Sequence, residues 1–122
     1  MDDCKNRINF QKIHYEKIDS QFDLIISNPP YLSFDEYQKS QYEIKNFEPK
    51  EAFIGGKDGL DFYRGFTKKI DKILNNNSYF ICEIGINQLE SCKNIFKKTN
   101  LILEKITKDL QNIDRILTFF KI

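Results

Sequence analysis

Asn28-Pro29-Pro30-Tyr31 sets an amide side chain, two rigid rings and an aromatic ring directly after an Ile-rich run. That combination suits methyl transfer to an amide or exocyclic amine. Such a nitrogen shares its lone pair with a carbonyl or ring, so it is a poor nucleophile. A site can hold its two N–H groups with two acceptors and aim the nitrogen at a methyl donor. The Asn28 side-chain oxygen and the Pro29 backbone carbonyl would form that pair. Proline suits the second role because its ring fixes the chain direction. Tyr31 would pack over the planar group that carries the nitrogen. Orientation carries most of such catalysis, and no strong base is needed because the proton can leave after attack. The bland alternative is that Asn-Pro-Pro merely ends a strand.

The surrounding pattern supplies elements to hold these residues. Ile8–Ile13 alternates apolar and polar, which predicts a short strand. Phe22–Ser27 reads as a buried strand, stopped by prolines that cannot continue a ladder. Residues 33–57, with a Gly55-Gly56 break, read as a long, partly helical loop of a functional or mobile kind. Leu60–Leu74 predicts one helix, with Tyr63, Phe66, Ile70, Ile73 and Leu74 on one stripe and Asp61 in its first turn. Asn75-Asn76-Asn77 signals a loop. Tyr79–Ile84 predicts a second buried strand ending at Gly85. Leu89, Cys92, Ile95 and Phe96 mark a further helix, with Asn100 as its closing residue. Leu101–Ile106 and Ile113–Phe120 predict an antiparallel pair turning through Asp109–Asn112. Strands alternating with helices point to an α/β doubly wound sheet, mostly parallel with an antiparallel C-terminal strand. Ligands of such sheets sit beyond the carboxyl ends of the strands, where Asn28 and Glu83-Ile84-Gly85 fall.

Composition narrows the classes. The chain has 122 residues, enough for one domain or less, and carries 19 Lys+Arg against 18 Asp+Glu. The resulting net charge of +1 gives no electrostatic case for bulk nucleic-acid binding. With 40% hydrophobic and 30% charged residues it is too apolar for a disordered chain. Val is absent while Ile occurs 18 times, so Ile fills strand positions that Val would share. No apolar run is long enough to span a membrane, and no signal-peptide core follows Met1, which makes the cytoplasm the expected compartment. Cys4, Cys82 and Cys92 are widely spaced, and with the single His14 they suggest neither a disulfide framework nor a metal site.

Several of these segments together resemble a known family. Phe22 through Tyr31 is similar to motif IV of class I S-adenosylmethionine-dependent amino-methyltransferases. Phe47-Glu48-Pro49-Lys50-Glu51-Ala52-Phe53-Ile54-Gly55-Gly56-Lys57-Asp58-Gly59-Leu60 resembles the EP-x-x-A-(L/F)-x-G-G-x-D-G-L stretch of the HemK/PrmC family, whose members methylate a glutamine side-chain nitrogen. Glu83-Ile84-Gly85-Ile86-Asn87-Gln88 resembles the E-x-G-x-x-Q element of its release-factor branch. Lys108-Asp109-Leu110 with Asp114-Arg115 resembles the family's closing hairpin.

The resemblance implies a partial class I methyltransferase (Rossmann-like) fold and S-adenosylmethionine as methyl donor. It implies as substrate the Gly-Gly-Gln glutamine of a peptide chain release factor. Asn28, Pro29 and Tyr31 would be catalytic, and Asn28, Pro29, Pro30 and Tyr31 would hold the substrate amide. Asn28 would also lie near the donor methyl. The family's adenine-contacting turn falls at Ile13-His14-Tyr15, which makes His14 a cofactor-binding candidate, although the acidic residue of that turn is missing. Glu48–Gly59 would shape the substrate side, and Glu83 is either functional or a structural carboxylate. The family also has an N-terminal helical domain, a Gly-rich donor-binding loop and a ribose-binding acid, and none of these is found here. Residues 1–122 therefore read as the C-terminal portion of a methyltransferase domain, not active alone, with a missing N-terminal half as a possible partner. The rival readings are an amino-methyltransferase acting on nucleic acid and a non-catalytic remnant or protein-binding module.

Overall fold

A computed structural model describes residues 7–44 and 50–122. Four strands form one sheet in the order β1-β2-β4-β3: β1 (Phe22–Ser27), β2 (Leu74–Glu83), β3 (Leu101–Lys108) and β4 (Asp114–Lys121). β1 and β2 are parallel, and β4 runs antiparallel to both β2 and β3. Only β4 runs against the other three, as the closing-hairpin pattern predicts. The helices are α1 (Phe34–Ile44), α2 (Asp61–Phe66), α3 (Ile70–Ile73) and α4 (Leu89–Phe96).

The core lies on one sheet face. Phe80 and Cys82 of β2 stand beside Phe119 and Leu117 of β4, and these side chains are buried against Tyr63, Phe66, Ile70 and Ile73 of α2–α3 and Cys92 and Phe96 of α4. Burial raises the Cys92 thiol to about 12 and pushes the Cys82 thiol higher still, so both act as small hydrophobes. On the opposite face, Leu24 and Ile26 of β1 register with Tyr79 and Ile81 of β2. No described helix covers them, and they are 51% and 69% exposed.

Five expectations need correction. β1 forms as predicted but is not a buried strand, because it is the sheet edge and one of its faces is open. Ile8–Ile13 takes no regular secondary structure, and its alternation forms no ladder among the described residues. The helix expected over Leu60–Leu74 is two short ones. Lys68 and Lys69 donate N–H bonds to Gly65 and Phe66 in a tightened turn, and Leu74 already belongs to β2. Gly65 is a poor interior helix residue, which favours the break. Asn75-Asn76-Asn77 lies inside the extended run of β2, yet its loop character survives as an irregularity. Phe22 faces Leu74 while Leu24 faces Tyr79, and Asn77 has a φ of 59°. Finally, α4 ends at Phe96, and Thr99 rather than Asn100 manages the exit: its hydroxyl donates to the Phe96 carbonyl and accepts from Leu101 N–H.

Two further devices fix the frame. Ser33 and Glu36 form a reciprocal capping box at the start of α1, with Glu36 N–H donating to Ser33 Oγ and Ser33 N–H to Glu36 Oε1 at 3.1 and 3.0 Å. The Lys121 ammonium is buried and donates to the carbonyls of Asp71 and Leu74 at 2.7 and 2.8 Å, where the end of α3 favours a cation.

Candidate functional site

The turn 28–31 leaves the carboxyl end of β1 beside the carboxyl end of β2. Asn28 is exposed and Pro29 is buried. No described residue hydrogen-bonds the Asn28 side chain or donates to the Pro29 carbonyl, so neither acceptor is taken by another described residue. Tyr31, three residues on, is tied down at both ends.

Its hydroxyl donates to Glu83 Oε1 at 2.7 Å and accepts from Arg115 Nη2 at 2.8 Å. Arg115 Nη2 also donates to Glu83 Oε1 at 3.1 Å, and the guanidinium lies 5.4 Å from the Tyr31 ring centroid. Burial first, then the Glu83 carboxylate, raise the phenol above its ordinary range, and Arg115 pulls it partly back. The backbone end is held by Gln88. Its Nε2 donates to the carbonyls of Tyr31 at 2.9 Å and Gly59 at 3.3 Å, while its Oε1 accepts from Gly85 N–H at 2.7 Å. Glu83 and Gln88 thus share one task. The Tyr63 hydroxyl adds a bond to the Glu83 carbonyl at 2.7 Å, which pins α2 to the end of β2.

The hairpin motif has a matching explanation. Asp109 Oδ1 accepts from the N–H groups of Gln111 and Ile113, which closes the turn, and Lys108 pairs with Asp114 at 2.7 Å. Asp109 Oδ2 also lies 4.0 Å from Arg115 Nε. The hairpin therefore delivers Arg115 to Tyr31.

The glycine-rich segment packs directly on the turn. Leu32 N–H donates to the Phe53 carbonyl, and Gly55 N–H donates to the Leu32 carbonyl, at 2.9 and 2.8 Å. A Cβ on Gly55 would meet the Pro30 carbonyl at 2.5 Å. Gly59 has a φ of +81°, and a Cβ there would strike the Tyr31 carbonyl. Asp58 turns the chain into α2 by accepting from Leu60 N–H and pairing with Arg64. Glu48 lies outside the described residues. Gly59→Ala should cost at least roughly 1–2 kcal/mol for the left-handed backbone alone, with the Tyr31 clash added. A urea midpoint unchanged from the parent would contradict this packing.

His14 is exposed, but not idle. Its Nδ1 accepts from Glu16 N–H at 3.3 Å, so the neutral ring carries its proton on Nε2. His14, Tyr15, Pro30, Ile54, Gly55, Gly56, Asp61 and Phe62 line an open cavity of about 300 Å³. Tyr15 is held there edge-on to Phe62 and Phe66. His14 and the proline turn, far apart in sequence, therefore border one cavity. Sequence reasoning missed Arg115 and Gln88 as partners of Tyr31, and only their place in short polar motifs signalled them.

The sheet order, the antiparallel β4 and the proline turn at the sheet's carboxyl edge define a partial class I methyltransferase fold of Rossmann-like type. Residues 1–119 match the family model described as Eco57I restriction-modification methylase, and the chain belongs to that family. The release factor glutamine methyltransferase of Thermodesulfovibrio yellowstonii is 41% identical over 100 residues, 82% of this chain and 36% of the relative. That of Fusobacterium nucleatum is 39% identical over 99 residues, 81% of this chain and 28% of the relative. These relatives bear out the resemblance carried by the motifs. The chain spans about a third of their length. A methyltransferase crystal structure from Pyrococcus furiosus shares the fold, with a TM-score of 0.57 and 22% identity over 85% of this chain and 43% of that one. No helix among the described residues is long and apolar enough to cross a membrane.

Proposed function

We propose that this chain forms the substrate-holding part of a protein-(glutamine-N5) methyltransferase that acts in the cytoplasm on the Gly-Gly-Gln glutamine of a peptide chain release factor. The observation that carries this reading is the pair of acceptors not taken by other described residues, Asn28 Oδ1 and the Pro29 carbonyl, set beside a rigidly held Tyr31. The names of the curated relatives supply the substrate.

S-adenosylmethionine, when bound, supplies an electrophilic methyl group on a sulfonium sulfur. The residues present fit its adenine end: Tyr15 and Phe62 offer aromatic walls and His14 Nε2–H a donor. Asn28 and Pro29 accept the two N–H groups of the substrate amide and direct its nitrogen toward the donor side. Tyr31 packs on the amide plane. One carbon–nitrogen bond forms as the carbon–sulfur bond breaks, and the nitrogen then sheds a proton to solvent.

The description of the matching family model favours a second reading, transfer to a nucleic-acid amine. The near-neutral charge weighs against it. One assay separates the two. The chain is tested alone and joined to the preceding segment of the T. yellowstonii relative. Each form receives methyl-labelled donor with a release factor or with duplex DNA. Label on the release-factor glutamine is expected. Label on DNA alone would establish the second reading, and label on neither would leave a non-catalytic remnant.

A further inference from the structure

Tyr31 carries more hydrogen bonds than a packing platform needs. A phenol has one O–H donor and can accept from others. Glu83 takes the donor and Arg115 supplies the accepted bond, so the hydroxyl is occupied from the protein side. The ring is confined as well. Arg115 lies over it, and a Cβ on Gly85 would come within 3.0 Å of its Cδ1. The two clamp residues come from different elements, the end of β2 and the start of β4, whose backbones also bond where Ile84 N–H donates to the Arg115 carbonyl at 2.9 Å. The charged and titratable groups around the phenol are Glu83, Arg115, Asp109 behind Arg115, and Tyr63 on the Glu83 carbonyl.

We propose that Glu83 and Arg115 are positioning residues for the amide transfer, acting through Tyr31 by occupying its hydroxyl so that only the ring face meets the substrate. This rests on the glutamine-methyltransferase reading. Neither residue touches the reacting atoms. Their effect is to fix the tilt of Tyr31, and through it the plane of the amide held by Asn28 and Pro29. An unheld tyrosine could instead offer its hydroxyl to the amide and compete with those acceptors.

The test has two arms. In the first, the chain is labelled with ¹³Cζ-tyrosine, and the Tyr31 phenol is titrated by NMR in the parent, Glu83→Gln and Arg115→Met. The clamp requires opposite shifts. Losing the carboxylate should let the phenol ionise at lower pH, and losing the guanidinium should delay ionisation. That sign reversal reports that both side chains act on the Tyr31 hydroxyl, and the second arm reads whether the contact positions the amide. Unmoved titrations, or two shifts of the same sign, would overturn the clamp.

In the second arm, the chain joined to the relative's preceding segment methylates a release factor. Arg115→Met should lower kcat about 10-fold with little change in KM. Tyr31→Phe with Arg115→Met should be no slower than the slower single variant, because both act through one hydroxyl. Multiplying losses would overturn the positioning role. If the parent labels no glutamine, the functional reading falls and the positioning role with it. Opposite titration shifts would then still mark the clamp as part of the fold.

Discussion

Asn28→Ala in the joined enzyme should lower kcat for glutamine methylation by at least about 10²-fold, comparable to losing one preorganised polar contact in a transition state. The side-chain oxygen of Asn28 has no partner among the described residues, whereas Tyr31 is held at its hydroxyl and its carbonyl. Removing it leaves the Pro29 carbonyl as the remaining acceptor, and the amide can swing about that single bond. Donor affinity should change much less, since Asn28 does not line the cavity proposed for the donor's adenine. Asn28→Asp is the sharper comparison. It keeps the shape and an acceptor but places a negative charge beside the sulfonium, which favours the cationic ground state over the transfer. Rapid-quench turnover with labelled donor measures both. A parental rate for Asn28→Ala would return Asn-Pro-Pro to a simple strand stop.

Phe80→Ala should destabilise the chain by about 3–5 kcal/mol. Phe80 is fully buried at the centre of β2, with ring centroids of Phe66, Phe96 and Phe119 at 5.2, 5.8 and 6.0 Å. Truncation opens a cavity where three elements meet, and none can collapse into it without leaving the others. Leu24→Ala provides the contrast on the other sheet face. Leu24 is half exposed, so its loss should cost well under about 1 kcal/mol. Urea unfolding followed by circular dichroism measures both. Equal costs for the two would mean that the core lies on neither face in particular.

The sequence and the structure agree where a local pattern and its partner lie in the same chain. Phe22–Ser27 ends at the prolines as expected, and Leu101–Lys108 and Asp114–Lys121 pair around the Asp109 turn. Local pattern misled where exposure depends on distant packing. Six apolar-rich residues suggested a buried strand, yet nothing in the run 22–27 tells that β1 lies at an edge. The alternation at Ile8–Ile13 is a strand pattern without a described neighbour. The helix from Leu60 stopped after Phe66, one residue beyond Gly65, whose weak helix propensity was outweighed in the sequence by the apolar stripe. The turn at Asn28-Pro29-Pro30 could be read directly as the end of β1, because prolines stop a ladder by local chemistry alone. The partners of Tyr31 could not, because hydrogen bonds across 52, 57 and 84 residues leave no local trace.

Those separations also set a timetable. A bond between residues 84 apart cannot form until β1, β2 and β4 have been brought side by side, and the chain entropy lost in that closure precedes any reward from the bond. The α1 capping box, by contrast, spans three residues and can form while the rest is still a coil. The bonds that clamp the Tyr31 hydroxyl thus belong to the late stage of folding. A partly folded chain can own its helices and even its β3–β4 hairpin, and still have nowhere to hold an amide.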